Sequence, residues 1–213
     1  MRPGCVRNQA AKAISAMTAN SRLYALVLAG GRSRRMGRDK ALLACGGISQ
    51  LERTVTLLEA FADRTFVSVR KDQREEPERQ RFDQIVDKYD DLGPVAGILS
   101  ALETSPGADW LVVACDLPNV DSRTIAYLLQ HRGAKYPFTA FRSSHDDLPE
   151  PLCAVYAAGS DSILRRFVDE GIICPRKIMM RSDTLLLRQP DPAALDNVNT
   201  PEELAESRLG TAS

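Results

Sequence analysis

The chain has 213 residues, of which 44% are hydrophobic and 26% are charged, a composition typical of a globular protein with one full α/β core. Lysine plus arginine and aspartate plus glutamate both total 28, so the overall charge indicates neither nucleic-acid binding nor membrane binding. No apolar run approaches the roughly 20 residues that span a bilayer.

The amino-terminal segment differs from the rest of the chain. Residues 1–20 are basic and rich in small residues, and they lack the apolar core of a secretory signal, so we predict a disordered extension. No linker or internal repeat divides the remainder, which predicts one domain over residues 21–206. The five cysteines form no C-x-x-C pair. We therefore expect reduced thiols in a cytoplasmic protein rather than a zinc site or a disulfide framework.

Apolar runs and helical spacing alternate along the chain. Short apolar runs predict strands at 23–28, 65–69, 84–87, 110–116, 137–142 and 152–156. Helical spacing predicts helices at 49–62, 98–103, 122–131 and 160–170. The charged segment 71–81 contains Pro77 and is predicted to be a loop or an exposed helix. This alternation predicts a three-layer α/β fold, with a mostly parallel sheet and helices on both faces.

A glycine-rich, basic segment follows the first predicted strand. Gly30 and Gly31 allow backbone amides to approach an anion, because no Cβ stands in the way. Five lysine and arginine residues follow between positions 32 and 40, and such crowding is costly unless the charges are solvated or face an anion. The glycine spacing matches neither the Rossmann fingerprint nor the P-loop. The segment predicts a polyphosphate-binding loop of another kind, and a solvated basic turn is the alternative.

Two acids end apolar strand-like runs. Asp116 closes the most uniformly apolar run of the chain, where a carboxylate is costly to bury without a partner. A hard cation held by this carboxylate and by substrate phosphates would supply the partner, as Mg²⁺ does. A helix cap or a turn would also explain this residue. Asp87 ends a shorter run and could contact a sugar, a base or a metal.

Two further segments combine turn residues with ligand-binding potential. Gly93 and Gly97 flank a predicted helix start and allow close backbone approach to a flat ligand such as a base, although a plain turn would also use them. Asn197 and Asn199 alternate before a capping box, so both amides could face one ligand. Tying down the turn is the alternative role for the two asparagines.

Five segments, in order from Leu23 to Leu204, resemble the MobA family of molybdenum cofactor guanylyltransferases, within the MobA-like NTP transferase superfamily. They read LAGGRSRRMGRDKALL, GPVAGILSAL, CDLP, EPLCAVY and NVNTPEEL. The first segment is specific to the superfamily, and the others narrow the resemblance towards the guanylyltransferases. The resemblance implies a Rossmann-like nucleotidyltransferase fold.

The resemblance also implies which residues bind the nucleotide. The phosphate-binding loop of the family corresponds here to Gly30, Gly31, Arg35 and Lys40. Leu28 and Ala29 correspond to residues that lie against the base, and Gly93 and Gly97 to the loop on the guanine side. Asp87 matches an acid near the nucleotide.

The catalytic set and the acceptor side follow in the same way. Asp116 matches the metal-binding aspartate and would hold Mg²⁺, the expected cofactor. Arg35 and Lys40 would act with it in catalysis by positioning and charge neutralisation. Asn197 and Asn199 match residues assigned to the molybdopterin side.

The chain departs from the family pattern at two places. Ser68-Val69-Arg70 stands where some members have an asparagine after the second strand, which puts one base or ribose contact in doubt. Glu150-Pro151 stands where some members carry a His-Pro pair, which predicts acceptor contacts that differ from theirs.

The function that the resemblance implies is transfer of GMP from GTP to a molybdopterin-type cofactor, with release of pyrophosphate. Its expected partners are GTP, this acceptor, and transiently the proteins that deliver the cofactor or receive it. An enzyme that uses CTP, or a sugar phosphate as acceptor, is one alternative. A nucleotide-sensing module without catalysis is another, but the presence of both Lys40 and Asp116 disfavours it.

Overall fold

The computed structural model describes residues 22–30, 40–42, 44 and 45, and 47–196. The strands in these residues are β1 (Arg22–Leu28), β2 (Ala44–Cys45), β3 (Ile48–Ser49), β4 (Arg64–Val69), β5 (Gln84–Val86), β6 (Ala108–Ala114), β7 (Phe138–Arg142), β8 (Pro149–Tyr156) and β9 (Thr184–Arg188). The α-helices are α1 (Gln50–Glu59), α2 (Pro94–Thr104), α3 (Ser122–Gln130), α4 (Asp161–Asp169) and α5 (Pro175–Met180). Short 3₁₀ turns span Lys40–Leu42, Lys71–Gln73 and Arg79–Arg81. None of the described helices has the length and apolar character needed to cross a membrane.

Seven of these strands form one mixed sheet in the order β5-β4-β1-β6-β8-β7-β9. β1 pairs in parallel with β4 on one side and with β6 on the other. β8 is antiparallel to both β6 and β7, and β9 is parallel to β7, so β8 runs against the other six strands. Because β4 and β5 lie on one side of β1 and β6 lies on the other, the strand order reverses at β1. Open α/β sheets bind ligands in the crevice at such a point.

Helices cover both faces of this sheet. Alternate residues of β1 divide between two hydrophobic clusters, because successive side chains of a strand point to opposite faces. Leu23, Ala25 and Val27 belong to one cluster, which contains the buried faces of α1 and α3. Tyr24 and Leu26 belong to the other, with those of α2, α4 and α5. The predicted three-layer α/β architecture is confirmed.

The boundaries of several predicted elements move by a few residues. The clearest strand, predicted at 110–116, is β6 and ends at Ala114, so Asp116 lies in the turn beyond it. Asp87 likewise follows β5 rather than ending it. The helix predicted at 98–103 begins earlier, at Pro94.

Four of the strands and helices in the described residues were not predicted: the two-residue strands β2 and β3, the helix α5 and the strand β9. The six-residue helix α5 is too short to show a helical period, and β9 follows it after a brief turn. The three successive leucines of β9 are only partly buried, because β9 is an edge strand. The segment 71–81, predicted to be a loop or an exposed helix, contains two 3₁₀ turns and a fully buried arginine, Arg79.

Candidate active site

A cavity of about 820 Å³ opens at the carboxyl ends of β1, β4, β5 and β6. It brings together most of the described residues that were predicted to bind a ligand, namely Leu28, Ala29, Gly30, Asp87, Gly93, Gly97 and Asp116. These residues come from four separate segments of the chain, and the parallel strands deliver them to the same edge of the sheet. A cavity of this volume matches small-molecule and cofactor sites.

The predicted phosphate-binding loop begins at this cavity. Leu28 ends β1, and its carbonyl oxygen accepts a hydrogen bond of 3.3 Å from the amide of Cys115, which ties the loop to the end of β6. Lys40 begins a 3₁₀ turn whose next residue, Ala41, lines the cavity, so the loop leaves and returns at the same opening. Gly31 and Arg35 lie outside the described residues.

Asp87 lies on the floor of the cavity beside Ser68. The Ser68 hydroxyl donates a hydrogen bond of 2.8 Å to Asp87 Oδ1. Burial raises the pKa of the Asp87 carboxyl, while the hydrogen bond from Ser68 and the charge of Arg70 oppose this shift. The second carboxylate oxygen is close to Gly30. Asp87 is thus a half-buried acceptor facing the same space as the glycine loop.

The two glycines near α2 are required for different reasons. A Cβ on Gly97 would lie 2.2 Å from Ser68 Oγ and 3.1 Å from Leu28 Cδ2, so α2 can pack this closely on β1 and β4 only with glycine there. Gly93 has a φ of 57°, which side chains rarely adopt, and it turns the chain into Pro94 at the start of α2. The first turn of α2 consequently opens towards the cavity.

Asp116 stands two residues beyond β6, half-buried at the wall of the cavity. Among the described parts of the chain, no three histidine, cysteine, aspartate or glutamate residues come close enough to hold a metal ion by themselves. A cation at Asp116 would need further ligands from a substrate or from water. This donor set fits Mg²⁺, which is usually bound by one or two carboxylates together with substrate phosphates.

Arg70 is a further cavity residue whose role was not predicted. Its guanidinium donates to the carbonyl oxygen of Gly30 and makes a bidentate pair with Asp72, through Nε and Nη2 at 2.9 Å each. Its position directly after β4 was the available signal, because the ends of parallel strands meet at one edge. The identity of its partner could not be read from the sequence.

A second cavity, of about 250 Å³, adjoins the first and shares Pro94 and Leu152 with it. Glu150 and Arg176 line it and form an ion pair of 3.1 Å, and Arg176 also pairs with Asp146 at 2.8 Å. No signal in the sequence indicated Arg176. Its cavity lies beside β8, the strand entered by the Glu150-Pro151 pair.

The second cavity also contains two thiols and the start of the predicted acceptor segment. Burial, with a contribution from the Glu150 charge, raises the pKa of Cys153 to about 12, so this thiol stays protonated. Cys174 is exposed. Leu195 lines the cavity, and the predicted acceptor residues Asn197 and Asn199 follow it in the chain, outside the described residues.

Residues 25–184 match the family model of the MobA-like NTP transferase domain. The chain belongs to the MobA-like NTP transferase family. The match runs from within β1 to the start of β9, and it includes every lining residue of the main cavity and all those of the second except Leu195. The predicted family and the predicted class of enzyme, a nucleotidyltransferase, are confirmed.

Relatives and a solved structure agree with this assignment. The chain is 31% identical over 188 residues to the molybdenum cofactor guanylyltransferase of Pseudomonas aeruginosa, covering 86% of this chain and 93% of that protein. It is 32% identical over 184 residues to the molybdenum cofactor biosynthesis bifunctional protein of a Synechocystis species, covering 86% of this chain and 53% of that protein. The chain therefore spans about half the length of the bifunctional relative.

The fold is also that of molybdopterin-guanine dinucleotide biosynthesis protein A from Archaeoglobus fulgidus, a crystal structure with a TM-score of 0.71. The two chains are 24% identical, and the superposition covers 86% of this chain and 95% of the other. This likeness confirms the predicted Rossmann-like nucleotidyltransferase fold.

Proposed function

We propose that this protein transfers GMP from GTP to the phosphate of a molybdopterin-type acceptor and releases pyrophosphate. The observation that carries the proposal is the pair of adjoining cavities, one of which brings together Gly30, Asp87 and Asp116 while the other contains Arg176. A nucleotidyl transfer needs two binding sites that meet at the reacting phosphorus. The relatives named as guanylyltransferases support guanine as the base.

The carboxylate of Asp87 supports the same base. The Watson–Crick edge of guanine carries two neighbouring donors, the N1–H and the 2-amino group, which one carboxylate can accept together. Adenine and cytosine lack this pair of donors. Oδ1 of Asp87 keeps its hydrogen bond from Ser68 with any base, but only guanine would add two donors to the carboxylate, so Asp87 would favour guanine by attraction.

The reaction needs little covalent chemistry from the protein. An oxygen of the acceptor phosphate attacks the α-phosphorus of GTP, the bond from that phosphorus to the bridging oxygen breaks, and pyrophosphate leaves with the bond electrons. Gly30 and Gly31 would hold the phosphates by backbone amides, and Arg35 and Lys40 would face the charge of the leaving group. Such catalysis rests on positioning and charge neutralisation.

Asp116 would hold the Mg²⁺ ion that we propose as cofactor. When bound, the ion would neutralise phosphate charge and align the attacking and leaving oxygens. Asp116 stands in the turn two residues beyond β6, and this turn is attached to the centre of the sheet because β6 pairs with strands on both sides. This attachment favours a metal ligand over a flexible turn residue.

The acceptor would bind in the second cavity. Arg176 offers a guanidinium for an anionic group, and Asn197 and Asn199 would present amides to the pterin ring from the segment after Leu195.

We further propose that residues 21–206 form one domain and that residues 1–20 are a disordered extension. The protein would work in the cytoplasm, with transient contact to proteins that deliver or receive the cofactor.

The proposal is tested by incubating the purified protein with Mg²⁺, one nucleoside triphosphate at a time and molybdopterin-type cofactor, and measuring pyrophosphate. Only GTP should support release. Asp116→Asn should lower the rate of pyrophosphate release by ~100-fold or more. Asp83→Asn is the control and should leave this rate unchanged, because Asp83 lies just before β5 in an exposed ion pair with Arg64.

Three outcomes would contradict the proposal. Release with CTP in place of GTP would reject guanine as the base. Release with a sugar phosphate but not with the molybdopterin-type cofactor would reject the acceptor. Tight GTP binding without release under any of these conditions would indicate a binding module instead of an enzyme.

A further inference from the structure

A buried arginine lies behind the start of the nucleotide loop. The side chain of Arg79 is only 1% exposed, and its Nη2 donates a hydrogen bond of 2.8 Å to the carbonyl oxygen of Ala29. The two residues are 50 positions apart in the sequence. Ala29 lines the main cavity, whereas Arg79 reaches its backbone from the protein interior.

Glu76 compensates the buried charge of Arg79. Its Oε2 accepts hydrogen bonds from Arg79 Nη1 at 3.3 Å and from the Arg79 amide at 3.0 Å, and its Oε1 accepts from the Glu78 amide at 3.2 Å. The carboxylate thus caps the 3₁₀ turn Arg79–Arg81 and pairs with the guanidinium at once. Burying an ion pair costs several kcal/mol in desolvation per ion unless the remaining hydrogen bonds are also made. The desolvation cost of the Arg79–Glu76 pair is therefore large for a contact that would only stabilise the β4–β5 connection.

Arg70 acts on the next peptide group of the same loop. It donates to the carbonyl oxygen of Gly30, while Asp72 holds its guanidinium from the other side. Two successive carbonyl oxygens, those of Ala29 and Gly30, therefore accept hydrogen bonds from two guanidinium groups of one β4–β5 connection. Because the C=O and N–H of a trans peptide point in opposite directions, the hydrogen bond from Arg79 to the Ala29 carbonyl turns the Gly30 N–H away from Arg79. The negative ends of the two carbonyl dipoles are offset by the positive charge of the two guanidinium groups.

We propose that Arg79 is a positioning residue for nucleotide transfer, which fixes the Ala29 carbonyl so that the loop binds phosphate and base through preorganised N–H donors. The proposal rests on the proposed function in so far as the ligand is a nucleoside triphosphate. Preorganised donors accelerate a reaction because no reorganisation is needed when charge develops. Arg79 contacts neither substrate nor metal and acts through Ala29, with Arg70 supporting the following peptide.

A purely structural role would predict a different result in one double variant. Arg79→Met leaves the half-buried carboxylate of Glu76 without its cation and should lower the melting temperature in either case. Arg79→Met with Glu76→Met removes both charges and keeps apolar volume, which should restore much of the melting temperature. If Arg79 positions the loop, kcat/KM for GTP stays about 100-fold below wild type in the double variant, since a displacement of about 1 Å in a reacting group can cost this much.

The experiment measures melting temperature, the Kd of GTP with Mg²⁺, and kcat/KM for pyrophosphate release in wild type and variants. Arg81→Met is the matched control, because Arg81 lies in the same turn but is exposed and pairs with Glu52 at 3.1 Å. The Arg81→Met variant should have the same kcat/KM as wild type. Arg79→Lys keeps one charge but not the forked guanidinium, and it should retain more activity than Arg79→Met at a similar melting temperature.

Recovery of wild-type kcat/KM together with melting temperature in the double variant would overturn the proposal. Should the double variant not fold, Arg79→Lys decides the matter: wild-type kcat/KM in that variant would reject a positioning role. The proposed function is judged separately, on wild-type turnover. If wild type binds GTP without releasing pyrophosphate, the ratio of GTP Kd values between the double variant and wild type still tests the role of Arg79.

Discussion

The hydroxyl of Ser68 on β4 donates a 2.8 Å hydrogen bond to the carboxylate of Asp87, just beyond β5. The backbone of Gly97, on α2, packs against the same hydroxyl, so that three elements converge on one hydrogen bond at the floor of the main cavity. Any change at these three positions is expected to alter the nucleotide site and the packing of α2 together.

Gly97→Ala should destabilise the protein and weaken GTP binding. Glycine to alanine inside a helix normally stabilises by roughly 0.5–1 kcal/mol, but here the new Cβ would lie 2.2 Å from Ser68 Oγ and 3.0 Å from Ser68 Cβ. We expect a net loss of about 1–3 kcal/mol, as for other overpacked sites. Gly107→Ala, where an added Cβ meets open space, is the control. Thermal melts and the Kd of GTP measure both effects, and an alanine variant at position 97 as stable as wild type would contradict this packing.

Asp87→Asn should change how stability depends on pH. Because burial raises the folded-state pKa of Asp87, the folded protein binds its proton more tightly than the unfolded chain does. Wild-type stability should therefore decline as pH rises from the ordinary aspartate pKa through the raised value, and this contribution should vanish in Asp87→Asn. Melting temperatures of both proteins across this range give the difference, which should increasingly favour the variant as pH rises. A difference that does not vary with pH would refute the expectation. Stability should decline more with rising pH in Ser68→Ala than in wild type, because the hydrogen bond that opposes the raised pKa of Asp87 is lost.

Alkylation of Cys174 should block the acceptor without affecting GTP. Cys174 is exposed and lines the second cavity, whereas Cys153 in the same cavity is buried with a pKa raised to about 12. Iodoacetamide should therefore label Cys174 and spare Cys153, which peptide mass spectrometry can verify. The labelled protein should show a severalfold higher KM for the acceptor and an unchanged Kd for GTP. Cys174→Ala treated in the same way is the control, and complete labelling at Cys174 with an unchanged acceptor KM would exclude the second cavity as the acceptor site.

The double change of Asn197 and Asn199 to alanine is a second test of the proposed acceptor site. The capping box that the sequence predicts at Thr200, Pro201 and Glu203 is unchanged in this variant, so stability should be nearly unchanged. The acceptor KM should rise while the Kd of GTP stays close to wild type. If the asparagines only tie down the turn, melting temperature falls and both substrates bind more weakly, which the same three measurements reveal.

Local signals in the sequence were sufficient for the nucleotide half of the fold. The apolar run ending in Ala29-Gly30 predicts a buried strand and a ligand loop, and the run before Asp116 predicts a second strand at the same edge. Parallel strands bring such ends together by geometry alone, so Gly30, Asp87 and Asp116 could be expected at one site without knowing the strand order.

Arg79 shows why the rest could not be predicted. A charged residue in a run of eleven mostly polar residues is normally solvated, and no local pattern marks the one that is buried. Its partners, Glu76 and the carbonyl of Ala29, become neighbours only through the packing of the β4–β5 connection against the end of β1. The same holds for Arg176, whose pairs with Asp146 and Glu150 join segments about 30 residues apart.

The reversal of strand direction at β8 divides the sheet by function as well as by geometry. The parallel strands β5, β4, β1 and β6 carry the main cavity, and β8 with the segments after it carries most of the second one. Substitutions and insertions beyond β6 can therefore reshape the acceptor cavity while the nucleotide half keeps its strand pairing. If the proposed function holds, a change of acceptor would therefore require changes around β8 only, and the strands that position the transfer chemistry could stay as they are.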